Sequence, residues 1–334
     1  MRIAIYKDNL STGRGADRAV RNFAAALAAR GHGVELLEKD GFVARIVDEP
    51  ARCFDVIVAT GSNEVVDLDA AGYFGRRDRA RVVLQLHLAP RGFFKWRHPL
   101  RNRRIRKAFG KADAVQVLCR SYVDEFRRIA PHPPVTVIGN YTEMALPPDF
   151  RRSPQPIILY PAAALNRVKN QRLLIEAFAT LAATFPEWRV RLLGKTTTPY
   201  AEMCRRLIRR LDLSGRISLV GFTDDLAAEY ANAAFIAFPS TLEGFPLAVL
   251  EAARFGLPAV AQRDLPGIGD IVTEETGVVT APTVSAYAEG LRRLMADASL
   301  RDRLGAAAQA RSERDYAQDK ILDQWESLLE SVVK

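Results

Sequence analysis

Phe238-Pro239-Ser240-Thr241-Leu242-Glu243-Gly244-Phe245-Pro246-Leu247-Ala248-Val249-Leu250-Glu251-Ala252-Ala253 passes from an apolar strand, through a short loop, into a helix. The strand pattern ends at Phe238. Pro246 suits the first helical position, where a missing N–H loses no bond. The amides from Leu247 onward then lack an intrahelical acceptor and stand at the positive end of the helix dipole. Such a helix start suits a diphosphate. Glu243 precedes it, where a carboxylate accepts sugar hydroxyls. Glu251 lies further along, on a regular helix about 80° around and roughly 12 Å away. Two acids so placed are too far apart to share one proton. They suit two separate hydroxyl-bearing parts of one extended ligand. An ordinary strand-loop-helix with two surface glutamates has the same local pattern, so the flanks decide.

Outward from this stretch, short β-branched runs alternate with helical patterns. Expected strands are Ile3–Tyr6, Val34–Leu37, Asp55–Thr60, Val82–His87, Ala114–Leu118 and Val135–Ile138, then Ile157–Tyr160, Val190–Leu193, Ile217–Val220, Phe235–Phe238 and Ala259–Ala261. Helical patterns between them include Ala16–Arg30, Gln171–Thr184, Ala201–Leu211 and Leu247–Phe255. This alternation predicts an α/β protein with parallel, doubly wound sheets. Residues 146–156 hold four prolines and no periodicity, which reads as a linker. The expected organisation is two Rossmann-like domains facing across a cleft, 1–150 and 151–315, with a helix over 316–334 packing back on the first. Ligands should sit at the carboxyl ends of the strands. A proline-rich linker between two cores also predicts closure on a ligand.

The 334 residues suffice for two cores, and 48% hydrophobic with 26% charged residues is ordinary globular composition. No run is long and apolar enough to span a bilayer. The start, Met1-Arg2-Ile3-Ala4-Ile5-Tyr6, reads as a strand rather than a signal peptide, which predicts a cytoplasmic chain. Cys53, Cys119 and Cys204 suggest neither a disulfide framework nor a zinc pattern. His32, His87, His98 and His132 have no metal-ligand spacing. Asp67-Leu68-Asp69 reads as a solvated loop or helix start rather than a metal pair, and Asp224-Asp225 as a helix N-terminus. The formal charge is +9, and residues 91–111 alone hold nine Lys/Arg and no Asp/Glu.

The opening stretch resembles, almost position for position, the Glu-x7-Glu signature of retaining glycosyltransferases of the GT-B fold, especially family four. The likeness continues through Arg216–Phe222, Asp224-Asp225, Tyr230-Ala231-Asn232-Ala233 and Gly256-Leu257-Pro258. It extends back to Ala163–Phe178, Val137-Ile138-Gly139-Asn140, His87 and the glycine loop Gly13-Arg14-Gly15-Ala16-Asp17-Arg18. It is strong in the C-terminal half and looser in the first. The resemblance implies that Glu243 contacts the donor sugar and Glu251 the ribose. Gly244, Phe245, Pro246 and Leu247 would line the sugar and phosphate pocket, and Lys169 would neutralise the leaving diphosphate. His87 would contact a sugar, and Gly13 and Gly15 would let backbone approach a ligand closely. Two departures stand out. The family's usual arginine before the lysine is Ala164 here, with Arg167 nearby as a substitute. Asp17 stands where glutamate is common.

The function so implied is hexosyl transfer from a nucleoside-diphosphate sugar, UDP before GDP, to a glycan or lipid-linked acceptor in envelope polysaccharide synthesis. No metal or other cofactor is required. A sugar-nucleotide epimerase of the same architecture would use water instead of an acceptor; products formed from donor alone separate the two. A basic polyanion-binding module is the third class. It leaves Glu243 and Glu251 unexplained, and steep salt-dependent nucleic-acid affinity would mark it. The expectation is no nucleic-acid partner. The segment 91–111 is expected to dock on an anionic membrane surface, with Phe93, Phe94 and Trp96 entering the headgroups. Pro99 should divide it into a loop and a basic helix.

Overall fold

The computed structural model describes residues 1–10, 15–39, 53–94, 98–146, 150 and 152–334. Gly13, Trp96 and the linker prolines Pro147 and Pro148 fall outside the described residues. The chain divides into two compact units, Met1–Asn140 with Asp319–Lys334, and Tyr141–Gln318. Each is built on one six-stranded parallel sheet.

In unit 1 the strands are β1 (Arg2–Tyr6), β2 (Gly33–Leu37), β3 (Val56–Ala59), β4 (Arg81–Gln85), β5 (Ala114–Val117) and β6 (Val135–Val137). Their order is β2-β1-β3-β4-β5-β6. Unit 2 holds β7 (Ile157–Tyr160), β8 (Arg189–Leu193), β9 (Ile217–Gly221), β10 (Phe235–Phe238), β11 (Ala259–Gln262) and β12 (Gly277–Thr280), in the order β12-β11-β10-β7-β8-β9. Counted within the unit from the far edge, that order is 3-2-1-4-5-6, the dinucleotide-binding arrangement. The central strands show why the sheets are parallel. Every residue of Val56–Ala59 and Phe235–Phe238 is buried, as happens when helices cover both faces.

The differences from the sequence expectations are local. Strand β4 stops at Gln85, so His87 lies beyond it instead of ending it. Strand β12 has no counterpart among the expected strands, because its Thr276-Gly277 start reads as a turn. Asp67 and Asp69 sit inside a helix, Ser62–Ala70. Asp67 accepts the Tyr6 hydroxyl at 2.9 Å, and Asp69 pairs with Lys111. These partners occupy the two acids in structural roles.

The chain ends in unit 1. In the helix Gln318–Val333, Trp325 lies 4.7 Å from Phe23, ring to ring. Arg30 bonds Asp319, Asp323 and Glu326 at 2.9, 2.5 and 2.8 Å. In unit 2, the helix Ala298–Asp315 comes close against the Gly256 turn because Gly305 has no side chain. A Cβ there would lie 2.1 Å from the Gly256 oxygen.

Two features of this topology position ligands. In each sheet the strand order reverses at one place, and the connections there leave in opposite directions and open a crevice at the carboxyl ends. In unit 1 that place lies between β1 and β3; in unit 2 it lies between β7 and β10.

Candidate functional site

In unit 2 the loop after β7 leads to the helix Gln171–Ala179, and the loop after β10 leads to the helix Leu247–Arg254. The two loops are joined at the switch point. Thr241 N donates to Val168 O at 2.8 Å. Tyr160, the last residue of β7, is fully buried and donates to Lys169 O at 2.9 Å. Its single proton is then committed, so Ser240 Oγ, 3.0 Å away, is the donor to the phenol oxygen. Burial raises the Tyr160 pKa well above its usual value, which keeps that proton in place. Gln262, the end of β11, donates from Nε2 to Pro239 O at 2.8 Å and to Ser240 O.

This buried polar frame brings together two of the expected residues. Lys169 Nζ lies 2.6 and 2.8 Å from the two Glu243 oxygens. The lysine side chain is 21% exposed and the glutamate 12%, so the pair is reachable but largely desolvated. Lys169 does not begin a helix. Asn170, in the left-handed region at φ 51°, separates it from the helix that starts at Gln171.

The second helix start differs in detail from expectation. Pro246 is the cap rather than the first helical residue. Leu247 N donates to Phe245 O at 2.8 Å and Val249 N to Pro246 O at 2.9 Å. Leu247 therefore offers no amide to a ligand. Ala248 is the first-turn amide without a backbone acceptor among the described residues. Glu243 belongs to the loop, so the regular-helix spacing to Glu251 does not apply. The Phe245 ring is buried 5.7 Å from Tyr316, so the ring packs within the unit. Glu251 is positioned by Tyr230, whose hydroxyl donates to Oε2 at 3.0 Å. Burial first, and the Glu251 charge second, hold the Tyr230 pKa well above normal. Arg167 is exposed on the same loop as Lys169, and its charge acts on Tyr200.

Sequence reasoning missed the supporting residues Tyr160, Ser240, Gln262 and Tyr230. A signal existed for Tyr160 and Gln262, each a polar-tipped residue ending a buried parallel strand on the ligand side.

In unit 1, the switch point carries an ion pair the sequence did not flag. Lys7 Nζ is 3.2 Å from Glu64, which is 2% exposed and also accepts the Asp8 amide at 3.0 Å. His87 follows β4, and its Nε2 is buried without a hydrogen-bond partner. Burial lowers its pKa to about 4, aided by the Lys7 charge and opposed by Asp17. The ring is therefore neutral in the folded chain near pH 7. A proton-NMR titration should show this imidazole unchanged from pH 8 to pH 5 and titrating near pH 4. An inflection near 6.5 would mean an exposed ring. Gly15 starts the helix Gly15–Ala29.

The basic segment forms a helix, Pro99–Phe109, with Pro99 in its first turn. Phe93 and Phe94 do not face outward as expected. Their rings meet the buried Phe109 at 5.9 and 6.2 Å, because Phe109 offers an apolar surface within the unit. Arg103, Arg104, Arg106 and Lys107 are exposed, and Leu100 is 78% exposed. Among the described residues, no three His, Cys, Asp or Glu side chains group as a metal site. No helix among them is long and apolar enough to cross a membrane.

Comparison with known proteins adds the following. Residues 146–311 match the family model "Glycosyl transferases group 1". An exopolysaccharide phosphotransferase of Streptomyces coelicolor is 36% identical over 162 residues, 48% of this chain and 17% of that protein. A lipopolysaccharide core biosynthesis mannosyltransferase of Rhizobium meliloti is 30% identical over 165 residues, 46% of each chain. The chain thus spans less than half the length of these two relatives. Anabaena HepE, solved in complex with UDP, superposes with a TM-score of 0.82 at 20% identity over 99% of this chain and 100% of that one. The fold is therefore GT-B.

Proposed function

We propose that this chain, whose residues 146–311 form a domain of the glycosyl transferases group 1 family, transfers a hexose with retention from a nucleoside-diphosphate donor to a glycan or lipid-linked acceptor. The observation that carries this reading is the contact between Lys169 and both Glu243 oxygens at the switch point of unit 2. A cation and a sugar-binding carboxylate stand side by side where two parallel-strand loops meet, the carboxylate on the loop that leads into the helix bearing the Ala248 amide. The names of the Rhizobium and Streptomyces relatives favour an envelope polysaccharide as the product. The UDP complex of Anabaena HepE favours UDP before GDP.

In such a transfer the bond from sugar C1 to the β-phosphate oxygen breaks. The acceptor hydroxyl oxygen bonds to C1 on the same face, and its proton leaves with the diphosphate. Negative charge grows on the leaving group, so preorganised donors there lower the barrier. Lys169 Nζ and the Ala248 N–H are those donors, with Arg167 at the loop's edge. Glu243 accepts sugar hydroxyls, and Glu251, held by Tyr230, accepts the ribose hydroxyls. Donor binding exchanges one set of partners for another: the diphosphate takes Lys169 and the sugar takes Glu243. We assign acceptor binding to unit 1, with neutral His87 contacting a sugar hydroxyl and Gly15 at the helix start. The assignment gives no role to a metal.

A screen of nucleoside diphosphates and their sugars by thermal shift tests the reading, since a ligand of the folded state raises its stability by mass action. The expected result is a rise with one diphosphate and its sugar. Product analysis should then find the donor intact until an acceptor is added. Rapid conversion of donor in water alone would replace the transferase reading with the epimerase one.

The same reading puts the chain on the cytoplasmic face of a membrane, where lipid-linked acceptors are built. Its support is the exposed face of Arg103, Arg104, Arg106, Lys107 and Leu100. Each basic residue near an anionic leaflet contributes about 1 kcal/mol. Replacing those four basic residues with serine should therefore weaken binding to vesicles rich in anionic lipid by at least about 100-fold at low salt. Co-sedimentation equal to wild type would remove the membrane role and leave the transferase reading standing.

A further inference from the structure

Lys169 is neutralised by Glu243, whereas a diphosphate brings several negative charges. A site for it needs further positive charge beside Arg167 at the loop's edge, and the chain around the loop after β7 supplies it. We propose that Lys195 binds the donor's phosphates from the end of β8, over the small side chain of Ala164. This rests on reading the unit 2 site as a nucleoside-diphosphate-sugar site.

The backbone fixes the placement. β7 and β8 are neighbours, and beyond their ends the pairing resumes as one parallel bridge between Ala164 and Lys195. Lys195 N donates to Ala163 O at 3.0 Å, and Leu165 N donates to Lys195 O at 3.2 Å. Residues directly opposite in a parallel pair project their side chains to the same face. Lys195 therefore shares a face with Ala164, on the loop that carries Arg167 and Lys169. Gly194 makes this closeness possible. Its φ is 103°, and a Cβ there would lie 2.1 Å from the Ala162 oxygen. On the other side, Thr198 Oγ1 donates to Leu165 O at 2.7 Å while capping the next helix through Ala201 N at 3.0 Å. The segment bearing Lys195 is thus held at three points against the loop.

The side chain is also available. Lys195 is exposed and has no carboxylate partner among the described residues. Three other nearby cations are paired: Arg172 with Glu176 at 2.7 Å, Arg205 with Glu202 at 3.3 Å, and Arg191 with Glu229 at 2.5 Å; Arg167 stands at the exposed edge of the loop. Ala164 presents only a methyl group, which leaves the shared face to a four-carbon lysine stem. A lysine placed there binds phosphate as a mobile point charge.

Calorimetry with UDP, GDP, uridine and guanosine tests this on the full chain. Lys195→Ala should weaken the bound diphosphate by about 10- to 100-fold, the range of one charge-assisted bond, and leave the nucleoside unchanged. Lys195→Arg should keep most of the affinity. The double variant Lys195→Ala with Ala164→Arg should recover it, because the new guanidinium rises from the facing register position. A purely structural lysine gives no such recovery. Diphosphate affinity of Lys195→Ala equal to wild type, or loss without rescue by Ala164→Arg, overturns the role of Lys195 and leaves the site reading intact. Wild-type chain that binds neither diphosphate overturns both.

Discussion

Glu243→Gln is expected to lower the transfer rate by about 100- to 1,000-fold while the fold and the diphosphate affinity hold. The amide keeps the size of the carboxylate but loses its charge and half of its acceptor capacity. In the folded chain that carboxylate holds Lys169 with both oxygens at 2.6 and 2.8 Å. In the proposed transfer it would face a sugar ring that gains positive character at C1. The glutamine serves neither task fully. Because Lys169 is then no longer neutralised, nucleoside-diphosphate binding should stay equal or tighten. The measurement is a kcat and a diphosphate Kd on the same preparation. A variant that transfers at the wild-type rate under donor saturation would remove Glu243 from the reacting centre.

Lys169→Ala should have the other large effect. In the proposed transfer it removes the ammonium from the leaving diphosphate, so kcat/KM should fall by about 1,000-fold. The diphosphate Kd should rise by about 10- to 100-fold with the nucleoside Kd unchanged. It also takes the ammonium partner from Glu243, which is only 12% exposed. Losing one hydrogen bond to a charged group costs about 1.5–3 kcal/mol, so the midpoint of unfolding should drop. Adding Glu243→Gln should recover stability without recovering affinity, and that separation distinguishes a ligand-binding lysine from a structural one. Equal losses for diphosphate and nucleoside would make Lys169 a scaffold residue.

Much of this was legible in the sequence. The strands Ile157–Tyr160 and Phe235–Phe238 read correctly to the residue, because buried parallel strands are uninterrupted apolar runs with clear ends. Lys169, Glu243 and Glu251 stood out by motif. Their supports did not. Tyr160, Ser240, Gln262 and Tyr230 act through contacts between residues 9 to 80 positions apart, and no local pattern encodes such contacts. Pro246 misled because proline fits both a helix cap and a first helical residue. The spacing of Glu243 and Glu251 does not follow a regular helix, because the helix begins only at Leu247. Phe93 and Phe94 misled because an aromatic beside basic residues looks the same in sequence whether it meets lipid or Phe109.

On the proposed function, the loops after β7 and β10 hold a donor's diphosphate on Lys169. This is tested most directly by a crystal structure of the chain saturated with UDP, and with GDP if UDP does not bind. The expected result is β-phosphate oxygens within hydrogen-bond distance, about 3 Å, of Lys169 Nζ at the carboxyl ends of those strands. A nucleotide bound elsewhere in either unit, with the contact between Lys169 and Glu243 unchanged, would contradict it.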